Sequence, residues 1–252
     1  MTTIKTPHEI AIMAEGGKML AQVLRALRAE VRPGIETLEL DKLAHRLIKE
    51  ADAEPAFLNY RPTGSREAYP FTLCASLNDC VVHGRPSKYK LQEGDVLKLD
   101  LGLKHKGFYL DSAITVAVGE ISQEALKLIK VTEESLAVGI KQAKAGKTVG
   151  DIGAAIQKFV EKNGFSVVRT LTGHGIGREL HEDPQVLNFG YAGDGEKLEV
   201  GMVIAIEPMV AIGSGATKTL ADDSFVTTDG SLAVHFEHTV AITERGPMVL
   251  TK

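Results

Sequence analysis

The segment KLQEGDVLKLD, which ends at Asp100, recurs further along the chain as KLEVGMVIAIE, which ends at Glu207. The two copies align without a gap at an offset of 107 residues, and in both the acid ends an apolar run typical of a buried strand. Carboxylates are almost never fully buried unless they are paired or bound, because the ionised form loses its hydration. The repeat therefore predicts two related halves, each of which places an acid where it needs a partner.

A second acid follows each copy in another strand-like run. Asp111 lies in GFYLDSAITVAVG after the first copy, and Glu237 lies in VHFEHTVAIT after the second. A single acid in a strand most often lies at an edge and faces water, which could account for either residue alone. The duplicated placement argues against this alternative, because independent surface acids have no reason to recur at corresponding points.

Two helical patterns precede each copy. The first opens at TPHEI, where Thr6, Pro7 and Glu9 form an N-cap, a first-turn proline and a capping-box acid, and the next runs from about residue 38 to 53. The second pair is SQEALKLIKVTEESLAVGIKQA and VGDIGAAIQKFVEKNG, whose final Gly164 suits a helix C-cap. The order helix, helix, strand, strand thus occurs twice, in about residues 5–119 and 120–246. This order predicts an α+β fold in one domain over residues 1–252.

The composition is that of an ordinary globular protein. The 252 residues are 44% hydrophobic and 25% charged with a net charge of -4, which does not suggest nucleic acid or a membrane as a partner. The chain starts without an apolar targeting segment, and no run approaches the roughly 18 apolar residues of a membrane span, so we expect a cytoplasmic protein, and a monomer by default. Cys74 and Cys80 lack metal-site or redox-motif spacing and are expected to be free thiols.

The hairpin sequence LKHKGF sets the relative position of the first two acids. A two-residue turn at His105 and Lys106 would pair Lys104 with Gly107, and Asp100 would then directly face Asp111. Directly opposed residues have Cβ atoms about 4.5–5.5 Å apart, where like charges are destabilising. Unless a bulge shifts the register, the pattern predicts a positive charge between the two aspartates.

Four converging carboxylates would be neutralised by two divalent cations. Lysine and arginine are weaker candidates, since Lys98 shares the face of Asp100 but the runs around Glu207 and Glu237 are almost free of cationic residues. Dinuclear sites hold their ions about 3.5–4 Å apart and clamp both sides of a displacement. Carboxylate-rich ligand sets suit Mn or Fe(II), and an imidazole shifts the preference toward Fe, Co or Zn.

Three histidines lie where they could join such a site. His174 and His181 occur in TGHGIGRELHEDP, where glycines beside His174 let the backbone come close to a ligand, and His83 ends an apolar run in CVVHGRP. Each of them alone could equally be a surface or capped histidine beside a turn.

The remaining histidines are less informative. Two of them flank Glu237 and stay ambiguous, namely His235 and His238. Three others are assigned to helix or turn surfaces, namely His8, His45 and His105.

Several blocks of this sequence resemble, in order, the signatures of type I methionine aminopeptidases. They are NDCVVHGRP, LKLDLGLKHKGFYLDSA, TGHGIGRELHEDPQV, GMVIAIEPMV and HFEHTVAIT, and IKTPHEIAIMAEGGKMLAQVL extends the resemblance to nearly the whole chain. The resemblance implies the pita-bread fold shared with prolidases and creatinase, in which two pseudo-symmetric halves pack helices outside a curved antiparallel sheet. It also implies a bacterial-type dinuclear metallopeptidase that removes the N-terminal methionine of nascent proteins when the second residue is small.

The resemblance further implies roles at the metal centre. Asp111 and Glu237 would bridge two divalent ions (Mn, Fe(II), Co or Zn), His174 and Glu207 would complete the shell of one ion, and Asp100 would complete that of the other. A bridging water with a lowered pKa would attack the first peptide carbonyl, and Glu207 would shuttle its proton.

Roles toward the substrate follow from the same resemblance. His181 would stabilise the developing oxyanion, and His83 would contact the substrate amide beside the scissile bond. The methionine pocket would be bordered by Tyr60, Tyr69, Cys74 and Leu180. An apolar pocket separates side chains that differ by one methylene by only about 1–3 kcal/mol, so shape must contribute to selectivity.

Departures from the family pattern concern the substrate rather than the hydrolytic core. RPTGSREA, residues 61–68, is longer than the link typical of the family, and Phe57 stands where a small Cys is common. His235 and Phe236 precede Glu237 where Gln and Tyr are frequent. The tolerance for second residues, and any contact of residues 61–68 with the ribosome, are left open by the sequence.

Three alternative functions compete with this interpretation. A prolidase-like dipeptidase would need an additional amino-terminal domain, whereas the first capped helix begins at residue 6 or 7. A metal-free pita-bread module that binds peptides or nucleic acid would lack ligands or carry a basic face, whereas all five ligands are present and the isoelectric point is about 6.1. A two-metal phosphoesterase would need a cluster of Arg or Lys to bind phosphate.

Overall fold

The computed structural model describes residues 2–61 and 67–252. Within these residues the chain forms four α-helices: α1 (Pro7–Glu30), α2 (Thr37–Glu50), α3 (Gln123–Gln142) and α4 (Val149–Lys162). It also forms fifteen strands: β1 (Glu54–Pro55), β2 (Leu73–Leu77), β3 (Cys80–Val82), β4 (Val96–His105), β5 (Phe108–Ala117), β6 (Ser166–Val167), β7 (Gly173–Gly175), β8 (Glu182–Val186), β9 (Val203–Ile206), β10 (Met209–Ala211), β11 (Thr217–Thr219), β12 (Phe225–Thr227), β13 (Ala233–His235), β14 (His238–Thr243) and β15 (Gly246–Val249).

Side-chain caps and turn residues determine where the helices begin and end. The Thr6 hydroxyl accepts a hydrogen bond from the backbone N–H of Glu9, whose carboxylate accepts one from the N–H of Thr6, so the predicted capping box is confirmed. Helix α2 ends at Glu50, before the predicted residue 53, because the chain turns at Asp52 with a left-handed φ of 55°. Gly164, with a φ of 87°, follows α4 as predicted.

Antiparallel pairing joins the strands into four sheets within the described residues. Strand β4 pairs with β5 along its whole length and also with β1 and β2, whereas the largest sheet has the order β15-β14-β9-β7-β8. Two smaller sheets have the orders β13-β10-β6 and β11-β12-β3. Helices combined with antiparallel sheets confirm the predicted α+β class.

The β4–β5 hairpin has a different register from the predicted one. Its turn lies at Lys106 and Gly107, so Asp100 pairs with Ala113 rather than with Asp111. Both turn residues have positive φ, 47° and 89°, as primed hairpin turns require, and glycine adopts this conformation more readily than His105 would. The two aspartates are therefore diagonal neighbours on one face, at a spacing of about 7–8 Å.

The same shift changes the environment of His105. The residue was expected on a turn surface, but it is the last residue of β4 and is buried. Its Nε2 lies 3.4 Å from the carboxylate of Glu15 in α1. The assignment of His105 to the surface is therefore wrong, because the strand extends one residue further than predicted.

Apolar clusters lie between the helices and the sheets. One cluster joins α1 and α2 to β4 and includes Met13, Leu20, Leu40, Leu99 and Leu101. Another joins α3 and α4 to β9 and β14 and includes Leu128, Ile152, Ile156, Ile204 and Val240. The helices thus cover the outside of the sheets, as expected. No helix in the described part of the chain is both long and apolar enough to cross a membrane.

Hydrogen bonds join β5 to the segment between β13 and β14. Ala113 and Glu237 exchange backbone hydrogen bonds of 2.9 and 3.4 Å, and the Ser112 hydroxyl donates to the carbonyl of Glu237. The Thr239 hydroxyl accepts from the N–H of Asp111 at 3.0 Å and donates to its carbonyl at 2.7 Å. The backbone of two predicted ligands is therefore fixed by contacts between distant parts of the chain.

Replacing Thr239 tests this connection. We expect Thr239→Val to lower the free energy of unfolding of the metal-free protein by about 1–3 kcal/mol, because the buried N–H and C=O of Asp111 lose their partner while the side-chain shape is kept. Urea unfolding measures the change. Thr219→Val, at an exposed position, is the matched control and should change stability by less than about 0.5 kcal/mol. Equal stabilities of the two variants would contradict the proposed role of Thr239.

Candidate metal centre

Four carboxylates line one cavity of about 720 Å³. Asp100 lies in β4 and Asp111 in β5, whereas Glu207 directly follows β9 and Glu237 directly precedes β14. Burial is nearly complete, since Asp100, Asp111 and Glu237 are 8%, 4% and 2% exposed. The structure thus brings together the four acids that the duplicated pattern singled out.

The ends of two paired strands direct the glutamates into this cavity. Strands β9 and β14 stop pairing at Ile206 opposite His238, and Glu207 and Glu237 are the next residues on each strand. Pro208 lacks an N–H and cannot continue the ladder after Glu207. The apolar run with one misplaced acid in the sequence is therefore a core strand that ends at the cavity.

Burial makes the charged form of each acid costly. It raises the pKa of Asp100 to about 7 and that of Glu207 to about 7, and it raises the pKa values of Asp111 and Glu237 well above their ordinary range. Within the described residues, Asp100 Oδ1 and Glu237 Oε1 are buried without a hydrogen-bond partner. Buried polar atoms normally have a hydrogen-bond partner. These two oxygens are therefore suited to bind a group that comes from outside the chain.

Lys98 does not provide the missing positive charge. Its fully buried ammonium group donates to the carbonyl of Asn78 at 2.7 Å, and burial lowers its pKa to about 8. The neighbours that raise this pKa are Cys80, Asp79 and Asp95, not the four cavity acids. A lysine is therefore present near the site but is not the partner of the carboxylates.

His174 presents one ring nitrogen to the acids. Its Nδ1 lies 2.8 Å from the carbonyl of Gly175, an acceptor, so this nitrogen carries the proton. Its Nε2 lies 3.6 Å from Glu207 Oε1, and in the neutral tautomer with the proton on Nδ1 this nitrogen can bind a metal. A histidine whose other nitrogen is held by a backbone carbonyl in this way is oriented for metal binding.

The glycines beside His174 let neighbouring strands come close to β7. A Cβ atom on Gly173 would overlap the carbonyl of Ala205 in β9, and one on Gly175 would overlap the carbonyl of Asp183 in β8. Glycine is therefore required for the close packing of β7 between its neighbours. The expectation that these glycines also admit a ligand to the backbone stays a prediction.

Possible ligand atoms form two groups that share Glu237. Atoms of Asp111, His174 and Glu237 lie within 4.8 Å of one another, and so do atoms of Glu207, His235 and Glu237. Carboxylate oxygen and imidazole nitrogen suit Mn, Fe, Co and Zn. The shared carboxylate and the unpartnered oxygens fit divalent cations.

The two groups of possible ligand atoms leave out one predicted ligand, Asp100, and include one residue that was not predicted, His235. Asp100, a predicted ligand, belongs to neither group, although it lines the same cavity and its pKa is influenced by His235 and Glu207. His235, which the sequence assigns neither to the site nor to the surface, belongs to one group. A signal was present in the sequence, because His235 lies two residues before Glu237 at the end of a strand-like run.

His181 adjoins both a predicted pocket residue and a predicted ligand. The Tyr60 hydroxyl lies 2.7 Å from His181 Nδ1, and the His181 ring packs edge to face on the ring of His174 with centroids 4.4 Å apart. Burial, together with His174, lowers the pKa of His181 to about 3, so its imidazole is neutral.

His83 is held in a backbone conformation that is uncommon for residues other than glycine. Its φ is 60°, and its ring contacts Phe225 edge to face with centroids 5.6 Å apart. The side chain is accessible from the cavity, yet the surrounding protein lowers its pKa. His83 therefore offers a neutral imidazole to the cavity.

The four predicted pocket residues also line the cavity: Tyr60, Tyr69, Cys74 and Leu180. Phe57, a departure from the family pattern, lines it as well. The Tyr69 hydroxyl lies 3.0 Å from each of the carbonyls of Leu73 and Gly84, which fixes its ring at the wall. Residues 62–66 lie outside the described residues, so the effect of segment 61–68 on the pocket stays a prediction.

The sequence did not identify every residue around the cavity. Arg85, Asp222 and Asp223 also line it, and Arg85 forms an ion pair of 2.9 Å with Glu67. A charged side chain after His83 and adjacent acids in a polar loop are common on surfaces. These residues therefore carried no distinctive signal.

Comparisons with known proteins agree with this geometry. Residues 11–244 match the model of metallopeptidase family M24. A methionine aminopeptidase from Clostridium perfringens is 48% identical over 252 residues, which cover 100% of this chain and 99% of the relative. The crystal structure of methionine aminopeptidase from Thermotoga maritima has a TM-score of 0.95 and 43% identity and covers 100% of both chains.

A prolidase from Pyrococcus furiosus is more distant. It has a TM-score of 0.79 and 24% identity, and the match covers 99% of this chain and 65% of the prolidase. This likeness shows the common fold alone, and it confirms the predicted pita-bread class.

The chain therefore belongs to metallopeptidase family M24 and, within it, to the methionine aminopeptidases. Membership in this family implies that the chain binds divalent metal, which the donor set around the cavity fits.

The electrostatic role of a metal can be tested at Glu237. In the metal-free protein we expect Glu237→Gln to raise the free energy of unfolding by about 1–3 kcal/mol, because it removes an uncompensated buried acid. With saturating Mn(II) the same variant should be less stable than the native chain, because a ligand is lost. Urea unfolding with EDTA and with Mn(II) measures both effects.

Exposed Glu244 provides the control for this prediction. Glu244→Gln should change the free energy of unfolding by less than about 0.5 kcal/mol in either condition. If Glu237→Gln shifts stability in the same direction with and without metal, the acids are not compensated by bound cations.

Proposed function

We propose that this enzyme removes the N-terminal methionine from nascent proteins whose second residue is small, using two divalent ions. The observation that carries the proposal is the convergence of four acids and His174 on one cavity, in a chain 48% identical to a methionine aminopeptidase. Three of these acids are buried, and oxygens of Asp100 and Glu237 have no hydrogen-bond partner within the described residues. Because its substrates are newly made chains, we propose that it acts in the cytoplasm.

The five predicted ligands are proposed to hold the ions. Asp111 and Glu237 would bridge them, with His174 and Glu207 on one ion and Asp100 on the other. The shared position of Glu237 in two ligand groups supports the bridging role. When bound, divalent ions lower the pKa of water and polarise a carbonyl, and Mn, Fe(II), Co and Zn suit these donors.

Glu207 is proposed to move the proton during hydrolysis. Its carboxylate lines the cavity, and its two oxygens face His174 and His235 at 3.6 and 3.5 Å. An oxygen of Glu207 would accept the proton of the attacking water and pass it to the leaving amine. A positioned acid or base of this kind contributes roughly 10²–10⁴-fold to rate.

His181 and His83 are proposed to contact the substrate. A Tyr60 hydroxyl that donates to His181 Nδ1 leaves the proton of this neutral ring on Nε2, which can donate to the carbonyl oxygen as negative charge develops. His83, also neutral, would contact the amide beside the scissile bond. Donors that are fixed before the reaction need no reorganisation when the charge forms.

The methionine side chain is proposed to occupy the apolar part of the cavity. Tyr60, Tyr69, Cys74 and Leu180 border this region, and Cys74 and Leu180 are almost fully buried. A thioether has no strong hydrogen-bonding group, so the fit of an apolar, flexible side chain is what this wall can select.

We also propose that residues 5–119 and 120–246 are related halves of one domain. In each half, two helices precede a pair of antiparallel strands that carry or adjoin the two acids, β4 with β5 and β9 with β14, which supports this division.

Metal-dependent methionine release tests the proposed activity. The chelated protein should be inactive, and at least one of Mn, Fe(II), Co or Zn should restore methionine release from Met-Ala-Ser, with much slower release from Met-Lys-Ser. Glu207→Gln should lower kcat by about 100-fold or more, because the proton acceptor is lost. Exposed Glu244→Gln is the matched control and should keep the native rate. Failure of every metal, or a native rate for Glu207→Gln, would overturn the mechanism.

Tyr60→Phe tests the orientation of His181. We expect kcat to fall by about 2- to 10-fold with a smaller change in KM, because one hydrogen bond of about 0.5–1.5 kcal/mol no longer fixes the ring that serves the transition state. Steady-state kinetics with Met-Ala-Ser measure both constants. Tyr191→Phe, at a position 79% exposed, is the control. An unchanged kcat would show that Tyr60 does not position His181.

A further inference from the structure

His235 is held firmly in the interior next to the acids. It ends β13 opposite Met209 of β10 and is 1% exposed. The Thr115 hydroxyl donates to its carbonyl at 2.6 Å and accepts from its N–H at 3.2 Å. Both the N–H and the carbonyl of His235 are thus hydrogen-bonded, so the fold determines where the ring lies.

The imidazole of His235 lacks hydrogen-bond partners. Both ring nitrogens are buried, and neither has a hydrogen-bond partner in the described ranges 2–61 and 67–252. Buried polar side chains are normally paired, because an unpaired one loses its hydration without return. Either ring nitrogen can therefore bind an ion without giving up a hydrogen bond within these ranges.

The distance from His235 to Glu207 suits two ligands of one ion. His235 Nε2 lies 3.5 Å from Glu207 Oε2, too far for a normal N–H···O hydrogen bond. Two ligand atoms about 2.1 Å from one tetrahedral ion are about 3.4 Å apart. The pair thus has the separation of neighbouring ligands.

His174 and His235 have matching positions around Glu207. His174 Nε2 lies 3.6 Å from Oε1 of this carboxylate, and His235 Nε2 lies 3.5 Å from Oε2. Each histidine also belongs to its own ligand group, and the two groups share Glu237. The arrangement provides one imidazole on each side of the acidic cluster.

We propose that His235 Nε2 is a direct ligand of the second divalent ion, so that each ion of the pair binds one imidazole. Glu207 would then extend Oε2 toward this second ion while its Oε1 stays with the ion of His174. This inference rests on the dinuclear centre proposed above and adds a ligand to the five predicted ones. An imidazole on both ions raises the preference of the second position for Co, Fe or Zn over Mn.

Proton NMR of the Co(II)-loaded native protein in water tests the proposal. A histidine bound through Nε2 keeps an N–H on Nδ1, and a nearby Co(II) shifts that proton far outside the diamagnetic range. We expect two such exchangeable resonances at two Co(II) per chain, from His174 and His235. His235→Gln should lose one of them and bind the second Co(II) at least tenfold more weakly in calorimetric titration.

Matched variants separate ligation from folding. His45→Gln changes a half-buried histidine that bonds Thr72, so both shifted resonances and both affinities should persist. If His235→Gln does not fold, His235→Asn provides a second, smaller amide. The number of shifted resonances in the native protein can be counted without any variant.

The possible outcomes are distinct. A native protein that binds two Co(II) and releases methionine but shows one shifted N–H overturns the role of His235 and leaves the proposed function intact. Unchanged resonances in His235→Gln overturn it as well. A native protein that binds only one Co(II) per chain contradicts both the inference and the dinuclear centre.

Discussion

The burial of four like-charged acids in one cavity is the constraint on which the rest of the structure depends. Burial disfavours the ionised form of Asp100, Asp111, Glu207 and Glu237, and neighbouring acids of the cluster raise the pKa values of Asp100, Asp111 and Glu237 further. Lys98, the buried cation nearby, is bonded to Asn78 instead. Such a cluster is stable as an ionised group only when cations occupy it, which is why a hydrolytic metal centre, rather than a salt bridge, explains the arrangement.

The fold fixes this cluster through its backbone. Ala113 of β5 exchanges backbone hydrogen bonds with Glu237, which lies between β13 and β14. Hydroxyl groups of Thr115 and Thr239 satisfy the backbone of His235 and Asp111. The β7 strand packs against β8 and β9 so closely that only glycine fits on either side of His174. Ligands from distant parts of the chain are therefore positioned by strand pairing, which suits a site whose atoms must hold their geometry while charge changes.

Features that depend on local chemistry could be predicted from the sequence. The Thr6 capping box, the end of α4 shortly before Gly164 and the apolar run before Glu207 each follow from a few neighbouring residues. The gapless repeat indicated that the acids belong to one site. Features that depend on a small free-energy difference between two possible local structures could not be predicted from the sequence. The hairpin turn lies at Lys106 and Gly107 instead of at His105 and Lys106. Asp100 and Asp111 are therefore not directly opposite each other, and His105 is buried at the end of β4. The ring of His235 could be assigned only once β10 and Thr115 fixed its surroundings.

Anomalous X-ray diffraction from crystals saturated with Mn(II), measured at the manganese edge, is the most direct test of the shared metal centre. Two anomalous peaks should appear in the cavity about 3.5–4 Å apart, both adjoining Asp111 and Glu237. A single peak, or Mn(II) bound only outside this cavity, would contradict the conclusion that the acids converge to hold a pair of ions.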